Sequence, residues 1–361
     1  MATLTVTKEL GRAIAEAKAG DVLVLEGEHT LPETEIRQPL TLRGGSLVAT
    51  GERLLKCFAD VTVEQISVRN PQGHGIIAME GTVHLDRVEF HVSGTAMAFG
   101  ATASAKVDGC RIKSCRTGIT VQDDAKAWIE DLHVASSGCG LFFRGRSSGT
   151  ASQVAIMAGQ LAGVEISDSA SPKLLGVAVV SGGAGGFFVH GEARPEVLGC
   201  LAQHCAMAAL EVRGQAAPTV DGFVARDCSQ TAIFLHEQCG GTYLELELER
   251  CDSTLLDIAE EARVEVERAV LRDGRGGGVW LRDSAQAELL DVVIKGCELA
   301  GVDASGSCEA TLENVVAHEN RGVGLSARDR ARVSVLDCQF DENAMGGIQQ
   351  FGNARVTATQ A

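Results

Sequence analysis

Eleven positions constrain this chain more than any other feature. Gly118, Gly140, Gly163, Gly186, Ala209, Ala232, Leu255, Gly278, Gly301, Gly324 and Gly347 follow one another at a spacing of 22 once and 23 nine times, and eight of the eleven are glycine. A fixed period carried over most of a sequence predicts a stacked repeat in which each unit is one coil of a solenoid. Length alone, 361 residues, would suggest two or three domains. The unbroken period instead predicts one continuous repeat domain over 49–361, after an N-terminal strand, helix and first coil over 1–48.

The residues around the column describe one coil. After nearly every column residue comes an apolar–x–apolar triplet, as in Ile119–x–Val121, Leu141–x–Phe143, Val164–x–Ile166, Leu210–x–Val212, Ile233–x–Leu235 and Val279–x–Leu281. Alternation of period two is a strand with one buried face. Four residues further on, Ala125, Ser147, Ala170, Ala193, Ala216, Cys239, Ala262, Ala285, Cys308, Ala331 and Ala354 are all small, as a tight corner in a narrow core requires. A third apolar set precedes each column residue. It is split by Gly176, Gly199, Gly222, Asp291, Asn314 or Asp337, residue types that tolerate a left-handed backbone. Each coil therefore carries about three short strands and three bends. Apolar stripes at helical spacing are missing. Stacked strands of this kind pair in parallel at about 4.8 Å per coil, so the expected fold is an all-β parallel β-helix of roughly a dozen coils, on the order of 60 Å long. An aromatic content of 4% suits a bore filled by aliphatic side chains.

Composition narrows the function. The net charge is −16 with no Lys/Arg cluster, which argues against a phosphate backbone as partner. The start, MATLTVTKEL, lacks a basic region followed by an apolar run, so no secretory signal is expected. Nothing approaches 18 consecutive apolar residues, and no membrane partner is expected. The twelve cysteines follow the repeat rather than a disulfide framework. Cys205, Cys228, Cys251 and Cys297 share one position that Asn320 and Asn343 occupy in later coils. Without a CxxC pair, neither zinc nor any other metal is expected, and no cofactor. Reduced thiols point to a cytoplasmic protein.

Thr3 to Thr7 alternates as a strand. Thr7 is placed to cap a helix over Lys8 to Lys18, with Leu10, Ala13, Ile14 and Ala17 on one face and Gly20 as its stop. Asp21 then opens a strand, Val22 to Leu25. Ala13-Ile14, Ala17, Gly20-Asp21, Val22–x–Val24, Gly27 and Pro39-Leu40-Thr41-Leu42 with Gly44 resemble the entry segment of the pectate-lyase-like right-handed parallel β-helix superfamily. The later coils resemble its repeats over nearly the whole chain. The resemblance implies a right-handed winding. For activity it leaves lyases, hydrolases, esterases, epimerases and non-catalytic binding modules open. An entry helix laid over the first coil would hide its unpaired strand groups and open bore. The last coil, near Arg355 to Thr359, shows no capping helix and is a candidate for self-association.

Candidate chemistry sits on the strand after the column, where the middle residue of each triplet faces outward. That outward column reads Phe142, Glu165, Phe188, Glu211, Phe234, Asp257, Trp280, Asp303, aromatic and acid in turn for eight coils. Two residues on, a second column reads Arg144, Ser167, His190, Arg213, His236, Ala259, Arg282, Ser305. The rings would stand about 9–10 Å apart with carboxylates between them. Exposed rings in a row mark a binding surface for an extended glycan or a peptide or protein partner. Phe142, Arg144, Glu165, Phe188, Phe234, Asp257, Trp280, Arg282 and Asp303 are the candidate ligand-binding residues. The same alternation also keeps like charges from stacking one coil apart.

Catalysis on this face would fall to His190, Glu211, Arg213 and His236, two imidazoles flanking a carboxylate as acid and base. That alternative is a carbohydrate-active lyase, hydrolase or epimerase. A walled pocket over the four residues would favour it, and a flat stripe would favour binding. The run Glu245–x–Glu247–x–Glu249 with Glu260, Glu261, Glu265 and Glu267 reads as a solvated charged face offset by Arg250, Arg263 and Arg268, with a cation site as the alternative.

Overall fold

The computed structural model describes residues 2–359. It consists of short strands and one short helix, and falls into two compact units, Met1–Ala178 and Val179–Ala361. In the first unit Leu23, Leu42, Val63, Leu85, Val107, Ile129, Ala151 and Leu174 sit opposite one another on successive parallel strands. All eight are buried. In the second unit Val197, Val220, Tyr243, Val266, Leu289, Leu312 and Val335 do the same. They too are buried. In-register stacking puts one inward side chain of each coil on the next, which is why the 23-residue period persists. The described residues form about 15 turns rather than a dozen. The difference lies in the early coils, where the column continues as Gly75 and Ala96 and is less regular but the inward alternation persists.

The corner columns behave as their residue types require. Gly176, Gly199, Gly222, Asp291, Asn314 and Asp337 all have φ between 51 and 66°. The bend also accepts Glu245 and Arg268, at 51 and 55°. All eleven residues of the small column are buried. Glycine in the long column answers to close approach. A Cβ on Gly278 would lie 2.2 Å from Ile294 Cγ2 and 2.6 Å from the carbonyl oxygen of Gly301.

Further ladders satisfy the turns. Asp168, Glu237, Glu260, Asp283 and Asp329 occupy one left-handed turn position. The carboxylate of each accepts the backbone N–H of the same position one coil earlier, at 2.9–3.2 Å. The thiols of Cys205, Cys228, Cys251 and Cys297 each point at the carbonyl two residues before, and Asn320 and Asn343 continue the column as an amide ladder joined at 2.9 Å. All twelve cysteines are free thiols. Burial pushes the Cys57 thiol up to about 12. In the Cys205–Cys228–Cys251 stack the middle thiol is hydrogen-bonded to both neighbours. That lowers Cys228 and raises the outer two.

At the N-terminus the helix is shorter than expected, Leu10–Glu16 rather than Lys8 to Lys18. Thr7 does not cap it. The cap position is Glu9, with a left-handed backbone and no side-chain cap bond. Leu10 and Ile14 form its buried face, and Gln38 Nε2 donates to the carbonyls of Ile14 and Ala17 at 3.1 and 2.9 Å. The following strand, Asp21–Leu25, opens at Asp21 as expected. The Asp21 carboxylate accepts the backbone N–H groups of Ala2 and Lys18, which hold it below the usual carboxylate range.

Candidate functional site

The outward column is a structural reality within each unit. In the second unit Phe188, Glu211, Phe234, Asp257, Trp280 and Asp303 stand opposite one another on successive strands. In the first, Phe142 stands opposite Glu165. The side chains are not fully open to solvent, as the sequence had suggested. The rings are half-buried and Asp257 is only 7% exposed.

The reason is a diagonal pairing rule. A residue of the first column meets the second-column residue 25 positions on. Arg213 lies 4.9 Å over the Phe188 ring, and His236 Nε2 lies 3.2 Å from Glu211 Oε1. Arg282 spans Asp257 with contacts of 3.1 and 3.4 Å, Trp280 Nε1 donates to Ser305 Oγ at 3.4 Å, and Arg328 reaches Asp303 at 2.8 Å. Phe234 has only Ala259 at its diagonal, and Arg282 from the coil beyond covers it at 5.7 Å. Within a coil the imidazole lies on its own ring. His190 stacks on Phe188 at 4.5 Å, and His236 on Phe234 at 4.2 Å with 9° between planes. Arg282 is also 5.0 Å over Trp280, and in the first unit Arg144 is 5.7 Å over Phe142. Alternation of aromatic and acid thus gives each base of the second column a face or a carboxylate to engage. Arg328 was not among the expected residues; the second column extended by one coil locates it.

Burial pushes the Asp257 carboxyl up, and Arg282 opposes the rise. Burial likewise raises Asp303 against the pull of Arg328. Of the four expected catalytic residues the structure joins Glu211 and His236. His190 and Arg213 instead meet on Phe188. Two grooves of the second unit lie elsewhere. One, of about 600 Å³, runs over Arg263, Glu265, Gln286, Glu288, Glu309 and Arg332; the other, of about 420 Å³, lies over the turn residues Gly214, Gln215, Glu237, Gln238, Glu260 and Glu261. None of the four expected catalytic residues lines either.

The acidic run departs from its sequence reading at one residue. Glu249 is buried, its side chain 5% exposed, and holds three guanidiniums: Arg226 at 3.0 Å, Arg250 at 2.8 Å and Arg272 at 2.7 Å. Burial works against its charge, yet Arg272, Arg250 and Arg226 together hold the carboxyl below its ordinary value. Arg226 and Arg272 share its column one coil either side, a relation the sequence shows once the strand is placed. Glu245 and Glu267 engage Arg268, and Glu247 engages Arg226. Glu260 accepts a turn N–H and Glu261 accepts from Gln238. Among the described residues no group of three or more His, Cys, Asp or Glu side chains is arranged to hold a metal ion.

A chain wound in this way, with one outward ladder of paired side chains, defines a β-helix repeat protein. The sequence matches the family described as "Right handed beta helix region" over residues 54–202 and 208–360, and the chain belongs to that family. No curated protein matches the sequence. Solved structures similar to this chain include the periplasmic alginate epimerase AlgG, at 10% identity, TM-score 0.47, covering 91% of this chain and 78% of that one. The A-module of the Azotobacter vinelandii mannuronan C-5 epimerase AlgE4 is 11% identical, TM-score 0.35, covering 96% and 93%. The catalytic unit of the thermostable GH87 α-1,3-glucanase from Streptomyces thermodiastaticus strain HF3-3 is 15% identical, TM-score 0.43, covering 98% and 68%. At these identities no activity passes from them to this chain.

Proposed function

We propose that this chain is a cytoplasmic β-helix binding module that holds an extended ligand, a glycan or a peptide segment, along the ladder bearing Phe188, Phe234 and Trp280. One observation carries this reading. Every second coil presents a planar pair already stacked: Phe188 with His190, Phe234 with His236, Trp280 with Arg282. Two coils are about 9.6 Å. Each pair is fixed by its neighbours, so little side-chain freedom is lost when a repeating ligand settles on the row. The charges between the pairs are already partnered, which suits recognition by shape and hydrogen bonding more than proton transfer. The half-covered rings make each platform an amphipathic pair rather than a bare ring. Twelve unbridged cysteines support a reducing compartment.

The test is a thermal-shift screen of glycans and peptides, since a ligand of the native state raises apparent stability. Hits should be lost when Phe188, Phe234 and Trp280 are changed together to Ala. Hits that survive the triple change would move the site off this ladder.

The 3.2 Å contact between His236 and Glu211 favours one second reading, an acid–base dyad in a carbohydrate-active enzyme. In that case Glu211→Gln lowers turnover by roughly 10²-fold or more with binding retained. In the binding reading it changes affinity by a modest factor.

A further inference from the structure

The strand Thr3–Val6 is paired on one side only among the described residues. Its partner there is Asp21–Leu25, in parallel. Val22 N–H donates to the Ala2 carbonyl at 2.8 Å and Glu26 N–H to the Val6 carbonyl at 3.0 Å. Residues facing a parallel partner alternate along a strand with residues facing away. The backbone groups of Leu4 therefore face Asp21–Leu25, and the N–H and C=O groups of Thr3 and Thr5 point the other way. Among the described residues nothing pairs with them. The helix Leu10–Glu16 does not close this edge, as the sequence had suggested. It buries Leu10 and Ile14 and leaves a groove of about 540 Å³ between itself and the strand. Leu4, Val6, Ala13 and Ala17 are the apolar part of the groove. Leu4 stands on Leu23 and Leu42 in an inward column, yet it is 46% exposed where they are fully buried. Lys8, Glu9 and Glu16 are its charged part. Arg12 engages both acids, Glu9 at 3.8 Å and Glu16 at 2.7 Å. Lys8 has no ion-pair partner among the described residues, so the open charge of the groove is one cation.

We infer that this groove docks an extended peptide segment of a protein partner, which adds a strand to Thr3–Val6, sets alternate aliphatic side chains against Leu4 and Val6, and brings a carboxylate to Lys8. Main-chain bonds to Thr3 and Thr5 hold such a segment, and the side chains set on the groove select it. Parallel pairing, as in the rest of this sheet, places the carboxylate at the C-terminal end of the segment, since Lys8 follows the strand. A second copy of this chain is the other occupant that offers a strand, and the helix bars it. Paired strands lie about 4.8 Å apart, whereas a helix with its side chains is about 10 Å across. Two copies meeting edge to edge about a two-fold axis would press helix on helix before their strands reached pairing distance. A single peptide strand carries no such wall and enters the groove.

The experiment titrates the full chain into a fluorescein-labelled, amidated hexapeptide of alternating valine and threonine that ends in glutamate, and reads fluorescence anisotropy. Saturable binding is expected. Backbone N-methylation along one edge of the peptide should weaken it about tenfold or more, and N-methylation along the other edge should leave it nearly unchanged, because only one edge pairs. Lys8→Gln, or glutamine in place of the terminal glutamate, should each weaken binding by about two- to fivefold, the range of an exposed ion pair, and the two together no more than either alone. Thr5→Pro removes an outward donor and keeps the pairing to Asp21–Leu25, as proline at a free sheet edge does. It should weaken binding about tenfold or more with a circular dichroism melt close to the parent's. Leu4→Gln, at a side chain already half open, should weaken binding as well and covers the case in which Thr5→Pro melts early. Changing Phe188, Phe234 and Trp280 together to Ala should leave this binding unchanged, which separates it from any ligand of the other ladder. No saturable binding overturns the inference, as does equal loss from the two N-methylated peptides or binding that survives both Thr5→Pro and Leu4→Gln. A free chain that sediments as a dimer and is dissociated by Thr5→Pro would put a second copy on this edge and overturns it too.

Discussion

Changing Glu249 to Gln tests how the charged ladder of the second unit is held. The carboxylate is 5% exposed and meets Arg226, Arg250 and Arg272, whose side chains are 36%, 47% and 40% exposed. Removing one partner from a fully buried pair costs about 3–5 kcal/mol. Here the guanidiniums can turn to water, whereas a fully exposed pair is worth about 0–1 kcal/mol. An expected loss of about 2–3 kcal/mol lies between these limits. If the second unit melts as a cooperative block, about 2–4 °C is lost per kcal/mol, so Tm falls by roughly 4–12 °C. The pH dependence has a definite sign. The three arginines depress the Glu249 carboxyl, so the folded chain binds its proton less tightly than the unfolded chain does. Its contribution is complete above the unfolded value near 4.3, and it fades as pH falls through the lower folded value. Melts of parent and variant by circular dichroism should therefore differ at pH 7 and converge below about pH 4. A variant that melts within 1 °C of the parent at pH 7 refutes the three-arginine hub.

Val212→Asp or Leu235→Asp puts a charge into the bore and should cost several kcal/mol; an unchanged melting temperature would show the inward register to be wrong. Gly278→Ala forces a Cβ against Ile294 and the Gly301 carbonyl and should cost about 1–3 kcal/mol, read by thermal melt. Asp257, raised by burial, has the opposite linkage to Glu249: its ionised form is penalised above its folded pKa, so the parent should gain on Asp257→Asn as pH falls from 7 towards the carboxylate range. Thiol labelling of unfolded protein should count twelve reactive groups by intact mass; a count lower by pairs in protein prepared without oxidant would sink the free-thiol reading.

The sequence by itself determined the coil. Period, inward alternation, small corner and left-handed bend are each a demand that one residue type meets locally, and stacking repeats the demand every 23 positions. That is why the bends at Gly176 and Asn314 and the thiol column at Cys228 could be placed from spacing alone. Local patterning was weaker at the N-terminus, where Thr7 offers the right side chain for a cap but the backbone turns at Glu9 instead. The outward columns were legible as lists and not as contacts. Spacing placed Phe234, His236 and Arg282 on one face. Only the tertiary structure decided that His236 lies on Phe234 while reaching Glu211, and that Arg282 serves Asp257 and two rings at once. The same holds for Glu249, which reads as one more surface acid until its neighbours 23 residues either way prove to be arginines. Inward residues meet the same environment in every coil, so period encodes their fate. Outward residues are settled by the length, charge and reach of neighbours one or two coils away, and those contacts exist only once the coils are stacked.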